Sequence, residues 1–372
     1  MLKNMKRIDY VEPISLKELT VNKIPKYLKG KLDHSPALLI KEFENALAQY
    51  LNVKYCICVN SGTTGLMLAI KALGIDKEVI VPSYTFCGTV HPLTWNGISP
   101  KFTDIDRNTF NIDPDKIRQN ITKKTSAILA VHMYGNPSDI EAIELLARES
   151  DLKLIFDSAS AFGCQYKGKK LGGFGDLEVF SLQAQKILNV LEGGFISTNQ
   201  ESLYKKILML RSQGNHGNGD CLYVGLNARM HPLAAVLGLA ALKNIDRTIR
   251  DRRKLGGYYR SLLSSIEGAS FQEISDLFGH NYQYMPILIN QKIFGLSRNE
   301  LRKELEGKGI ITGKYFHPPV HRYSCYSYIK KHPSLKVTDY VADNIICLPF
   351  YSSMSYEQIE YICKSIRRIK DR

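Results

Sequence analysis

Tyr55-Cys56-Ile57-Cys58-Val59 is an apolar run that breaks into Asn60-Ser61-Gly62-Thr63-Thr64-Gly65, after which helical spacing runs from Gly65 to Leu73. Such a run suits a strand buried on both faces, and the small residues after it suit a tight turn into a helix. The same rhythm recurs downstream. Strand-like runs stand at Val79–Val81, Lys101–Asp104, Ala127–Val131, Leu152–Phe156, Leu177–Phe180 and Gly194–Ser197. Helical patterns at Pro114–Ile121, Asp139–Glu149 and Glu201–Arg211 fall between most of them, and another at Leu38–Leu51 precedes them. This alternation predicts an α/β fold with a mainly parallel sheet.

Further along, Pro232 to Ile266 reads as long helical sequence, with Pro114 and Pro232 at first-turn positions. Beyond it the pattern changes. Tyr284–Ile289 reads as a strand, and the pairs Ser297 with Glu300 and Ser355 with Gln358 have the spacing that opens helices. The expected division is an N-terminal arm (1–30), a large α/β domain (31–250) and a small C-terminal α+β domain (251–372).

Composition narrows the function. Of 372 residues, 44% are hydrophobic and 23% charged, which excludes disordered, collagen-like and coiled-coil chains. The longest uncharged apolar stretch, Pro232–Leu242, is shorter than the ~20 residues a membrane span needs. No apolar segment follows the first charged residues, so a cytoplasmic location is expected, with no membrane partner. Eight cysteines without a C-x-x-C pair give zinc no support, so no metal is expected and the thiols are read as reduced. The net charge of +14 gathers partly at Arg247–Lys254 and Lys364–Arg372, in helical sequence. These read as solvated helix faces. No zinc-finger, ribonucleoprotein or helix-turn-helix signature accompanies them, so nucleic acid is not expected as a partner.

In open α/β sheets, ligands collect at the carboxyl ends of strands. The Asn60–Gly65 turn leaves backbone N–H groups free at a helix N-terminus, which suits phosphate or simply a tight turn. Its spacing matches neither a Walker A nor a dinucleotide fingerprint. Asp157 ends the Leu152–Phe156 run, where an acid is costly unless paired or used as a helix cap. Ser181 ends Leu177–Phe180, and Lys186 follows in a lightly charged loop, as a desolvated amine or a surface lysine. Taken together, an anion-binding turn, an acid and a lysine are the parts a pyridoxal phosphate site requires. The lysine forms a Schiff base, the acid keeps the ring nitrogen protonated, and Phe86 is available to stack on the ring.

Ser61-Gly62-Thr63-Thr64-Gly65-Leu66, Val81-Pro82-Ser83-Tyr84-Thr85-Phe86, Phe102-Thr103-Asp104-Ile105-Asp106 and Phe156-Asp157-Ser158-Ala159 stand in order along the chain. They continue with Gly172-Gly173-Phe174-Gly175-Asp176, Phe180-Ser181 through Lys186, Glu192-Gly193-Gly194, Asn227-Ala228-Arg229-Met230 and Tyr315-Phe316-His317-Pro318-Pro319-Val320-His321. With this series the chain resembles the DegT/StrS-type sugar-nucleotide aminotransferases, within the fold-type I enzymes that depend on pyridoxal 5'-phosphate. The resemblance implies a large domain with a mainly parallel sheet, a smaller C-terminal α+β domain, and a homodimer with shared active sites. Lys186 and Asp157 would be catalytic. Gly62, Thr63 and Ser181 would hold the phosphate, Phe86 would stack on the ring, and Ser160 would lie near the ring oxygen. Asn227 would reach the cofactor phosphate of the neighbouring subunit. Gln183, Arg229, His317 and His321 would face substrate. The family commonly has Gln or His where Ser160 stands and His where Gln183 stands.

The implied reaction is transfer of an amino group from L-glutamate to a nucleotide-linked keto-deoxysugar. The preferred acceptor is an NDP-4-keto-6-deoxyhexose, giving a 4-amino-4,6-dideoxy sugar of the kind used in lipopolysaccharide O-antigen. A 3-keto sugar nucleotide, an aminocyclitol ketone or an octulosonate is the alternative acceptor. Retention of Lys186 favours transamination over the dehydration that a histidine there supports in a related enzyme. A non-catalytic, cofactor-binding regulator is the alternative of another class.

Overall fold

The structure is a computed structural model and describes residues 7–10, 36–217, 219–274, 279–330 and 332–372. Helix α1 (Pro36–Leu51) leads into β1 (Tyr55–Val59), α2 (Gly62–Leu73), β2 (Glu78–Pro82), α3 (Cys87–Trp95) and β3 (Pro100–Thr103). There follow α4 (Pro114–Asn120), β4 (Thr125–Val131), α5 (Ile140–Glu149) and β5 (Lys153–Asp157). A short hairpin, β6 (Gln165–Tyr166) and β7 (Lys169–Lys170), precedes β8 (Leu177–Ser181), β9 (Gly194–Thr198) and α6 (Glu201–Arg211). Helices α7 (Pro232–Leu242) and α8 (Ile245–Leu263) come next. The chain ends with β10 (Ala269–Phe271), β11 (Met285–Ile289), α9 (Gln291–Phe294), α10 (Arg298–Glu306), α11 (Lys336–Asn344), β12 (Ile345–Leu348) and α12 (Tyr356–Lys370).

Seven strands form one sheet in the order β1–β9–β8–β5–β4–β2–β3, within which β9 runs against the rest. Alternate side chains of each strand go to opposite faces, and both faces are covered. Cys56 and Cys58 of β1 join Phe156, Phe180 and Phe195 beneath α1, α5 and α7. Ile57 and Val59 join Ile155, Val179 and Ile196 beneath α2, α3 and α6. This double coverage explains why the strands read as continuous apolar runs.

Helix starts follow local chemistry. Ser61 caps α2 and Asp113 caps α4, with Pro114 in the first turn. Both expected capping boxes form, at Ser297 with Glu300 and at Ser355 with Gln358. Strands β10, β11 and β12 make an antiparallel sheet that shares a second core with α8, α10 and α12. Ile8 pairs beside Ile310 and packs in that core. The rest of the expected arm over 1–30 lies outside the described residues.

Two expectations need correction. Pro232–Ile266 is not one continuous helix. It breaks at Lys243-Asn244, and Asn competes with helical hydrogen bonding through its own side chain. The basic run of α8 is not wholly solvated either. Arg252 is buried, donates to Tyr282 O at 2.6 Å and lies 4.7 Å from the centre of the Phe350 ring.

Candidate active site

The parallel strands end at one edge of the large sheet, and the loops there enclose a cavity of about 360 Å³. Ser61, Gly62 and Thr63 form its floor at the N-terminus of α2. Ser61 Oγ accepts from Thr64 N at 3.1 Å, which fixes the turn. Bare backbone is required here. A Cβ on Gly194 would lie 2.6 Å from Gly62 N, and one on Gly62 would lie 3.3 Å from Ser181 Cβ. The result is a small cradle of N–H groups at the positive end of a helix, which suits a phosphate.

Asp157 is the last residue of β5 and is 5% exposed. Its Oδ2 accepts from Thr89 Oγ1 at 2.7 Å and its Oδ1 from Ala159 N at 3.0 Å. Burial raises its pKa, while those donors and the Lys186 charge pull it down. Two donors leave lone pairs open on an ionised carboxylate, so the site has room for a protonated ring nitrogen. Lys186 sits in the loop between β8 and β9. Its Nζ donates to Ser160 Oγ at 3.0 Å and lies 5.7 Å from the centre of the Tyr284 ring.

Aromatic residues form the wall. Phe86 is 56% exposed and packs 5.9 Å from Phe316. The buried Tyr84 and Tyr134 hydroxyls share a hydrogen bond of 2.5 Å, and the one that accepts in that bond donates to Tyr315 O, which both hydroxyls face. Burial holds the ring of His132, which lines the cavity, down to about 3, and the Glu178 carboxyl 4.0 Å from it up to about 7. Glu178 accepts from Ser158 Oγ and from the backbone N–H groups of Gly172 and Phe174, tying the turn before β8 to the end of β5.

Of the sequence-predicted residues, the cavity brings together Gly62, Thr63, Phe86, Asp157, Ser160, Ser181, Gln183 and Lys186. It does not include Asn227, Arg229, His317 or His321. Asn227 and Arg229 are exposed on the strip between α6 and α7. His321 is held between Ser83 Oγ at 2.7 Å and Asp339 at 3.2 Å, and His317 lies 3.3 Å from Asp343. His321 thus clasps the segment after Phe316 onto the loop that carries Phe86. The cavity also takes in Thr89, Tyr284, Tyr315 and Phe316, to which the sequence assigns no role in the site. Thr89 lies one helical turn beyond Thr85, the only local hint of its place.

A lysine amine, a buried carboxylate and a glycine-lined anion cradle, set on the strand ends of a mostly parallel sheet, are the parts that an α/β enzyme of the pyridoxal phosphate type requires. Residues 16–367 match the model of the DegT/DnrJ/EryC1/StrS aminotransferase family, and the chain belongs to that family. Aminotransferases of this family depend on pyridoxal phosphate. The chain is 36% identical to dTDP-4-amino-4,6-dideoxy-D-glucose transaminase of Shigella dysenteriae, over 89% of this chain and 90% of that one. It is 38% identical to GDP-perosamine synthase of Escherichia coli O157:H7, over 88% and 89%. The crystal structure of DesI with its TDP-sugar product superposes with a TM-score of 0.90 at 31% identity, covering 98% of this chain and 93% of that one. Among the described residues no helix is long and apolar enough to cross a membrane.

Proposed function

We propose that this aminotransferase binds pyridoxal 5'-phosphate in the cavity and transfers the amino group of L-glutamate to a nucleotide-linked 4-keto-6-deoxyhexose, giving a 4-amino-4,6-dideoxy sugar. The observation that carries the reading is Lys186 Nζ, bonded to Ser160 in one cavity with buried Asp157 and the Gly62 cradle. The substrate class rests on relatives named for a dTDP-linked 4-amino-4,6-dideoxyglucose and for GDP-perosamine.

When bound, the cofactor supplies an aldehyde that exchanges amino groups and a ring that accepts electrons. Gly62, Thr63 and Ser181 hold its phosphate. Asp157, ionised, holds a proton on the ring nitrogen. Lys186 would hold the cofactor through its Nζ between turnovers. As a free amine, its Nζ would move the proton between the carbon that bears the donor nitrogen and the far side of that nitrogen. Phe86 stacks on the ring, and Phe316 with Tyr315 closes the wall against water. Gln183 faces the acceptor.

The active unit in this reading is a homodimer. Leu222, Leu226 and Val224, the last 85% exposed, stand on the strip that carries Asn227 and Arg229. A second copy would cover this apolar surface and place Asn227 at the neighbour's phosphate, with Arg229 toward the donor carboxylate.

The test is the visible spectrum of the protein with pyridoxal phosphate, before and after L-glutamate. Wild type should gain a coloured band that glutamate bleaches and a keto-sugar nucleotide restores. Lys186→Ala should stay folded by circular dichroism and lose turnover by at least about a thousandfold, since it removes both the covalent anchor and the proton carrier. Turnover at the wild-type rate in that variant would sink the mechanism.

A further inference from the structure

Gln283 stands just before β11, 98 residues after Gln185. Its side-chain amide grips the backbone on both sides of the reactive lysine. Gln283 Nε2 donates to Gln185 O at 2.7 Å, and Ile187 N donates to Gln283 Oε1 at 3.0 Å. Gln283 is 5% exposed, so its amide is held by these backbone partners rather than by bulk solvent, although Gln185 itself is exposed and Ile187 half-buried. Two residues earlier, Asn281 does the same for the partner of the lysine. Asn281 Nδ2 donates to Ser160 O at 2.9 Å and to Phe162 O at 3.1 Å. The two amides are joined, because Gln283 N donates to Asn281 Oδ1 at 2.8 Å.

The bracket therefore fixes two loops of the large sheet at the points where Ser160 and Lys186 meet. Lys186 Nζ sits at the end of a long, flexible stem, so its position depends on where its Cα is held. Its own loop is closed by Lys186 N donating to Gln183 O, Ala184 N to Leu191 O and Val190 N to Leu182 O, and the Gln283 amide ties that closed loop to the segment before β11. Asn281 is completely buried, and Gly135 lets it in, since a Cβ there would lie 2.5 Å from Asn281 Oδ1.

We propose that Gln283 is a positioning residue for Lys186: its amide, braced by Asn281, sets the lysine backbone so that Nζ reaches the cofactor carbonyl carbon. The proposal rests on the aminotransferase reading above.

The experiment uses the full chain freed of cofactor and then mixed with pyridoxal phosphate. Borohydride reduction at timed intervals, with mass analysis of the Lys186 peptide, gives the rate of covalent capture. Thermal unfolding runs alongside. Gln283→Leu keeps much of the side-chain volume and removes both bonds. It should remain folded and capture cofactor about tenfold or more slowly, as loss of two hydrogen bonds of ordinary strength implies. Gln283→Glu keeps the acceptor for Ile187 N but sets a carboxylate oxygen against Gln185 O, so it should slow capture at least as much as Gln283→Leu.

Capture at the wild-type rate in either folded variant would overturn the proposal. Should both variants unfold, hydrogen exchange in the unaltered protein decides. Slow exchange at Ile187 supports the bracket, and exchange at the rate of an open loop overturns it. Failure of wild type itself to capture pyridoxal phosphate would instead overturn the aminotransferase reading.

Discussion

His132 and His280 are buried, and burial pushes the pKa of each down to about 3. Arg260 and Arg253 add to the shift at His280. In the unfolded chain both titrate near 6.5. Below that pH the unfolded chain takes up protons that the folded one refuses, so their contribution is full above 6.5 and falls as the pH drops toward 3. Glu178 acts with the opposite sign. Burial holds it up to about 7, so the folded chain keeps a proton that the unfolded one has released, and stability is lost as pH rises through that range. A single variant separates the terms. His280→Asn preserves an acceptor for Tyr282 N, which now bonds to His280 Nδ1 at 3.1 Å. Its cost to stability, read from denaturant curves, should shrink by up to about 1.4 kcal/mol per pH unit as pH falls from about 6.5 toward 4. A cost that ignores pH would mean that His280 is not held neutral. At this scale the sequence marks Asp157 and Ser181, because a polar residue closing an apolar strand is conspicuous, and Lys186, because it stands in a lightly charged loop beyond one. It does not mark Gln283 or Thr89. Their partners lie 98 and 68 residues away, and no periodicity records a pairing at that distance.

Helix α8 contains the pair Gly256-Gly257, each costing roughly 0.5–1 kcal/mol against alanine in a helix interior. The two have different reasons to be there. A Cβ on Gly256 would lie 2.4 Å from the Tyr282 ring, whereas one on Gly257 would meet nothing within 4 Å. Gly257→Ala should therefore stabilise by about 0.5–1 kcal/mol, and Gly256→Ala should destabilise by about 1–3 kcal/mol. Thermal melts of the two variants check the pair, and equal effects of one sign would contradict the packing of Tyr282. Elements with a strong period and clear ends, such as β1, α5 and α12, are legible in the sequence. Helix α3 is not, because Gly88, Thr89, Val90 and Pro92 are poor helix formers and its place comes from packing on α2. Helix α11 and strand β12 are hidden as well. They abut without a turn residue between them, so no punctuation separates the two patterns.

At the scale of the molecule, α8 belongs to both cores. Ile245 and Ile249 pack beneath the large sheet, and Leu255, Tyr259 and Leu263 pack against the small one. A helix shared in this way couples the two, so heat should unfold them in one transition that coincides with release of cofactor. Two separate calorimetric peaks would show that they melt independently. The α/β class and the change of pattern after Ile266 are readable from alternation alone. That residues after α8 return to complete the cavity is not, since it depends on long-range contacts. The bracket of Asn281 and Gln283 carries a consequence for how the chain can be divided. A piece ending at residue 250 would contain Lys186, Asp157, Ser160 and the Gly62 turn, every residue named for the chemistry except the outer wall. It would also leave Gln185 O, Ile187 N and Ser160 O without the amides that hold them. The catalytic parts are contiguous in sequence, but the fastening is not, and such a fragment would own the tools without the bench that holds them still.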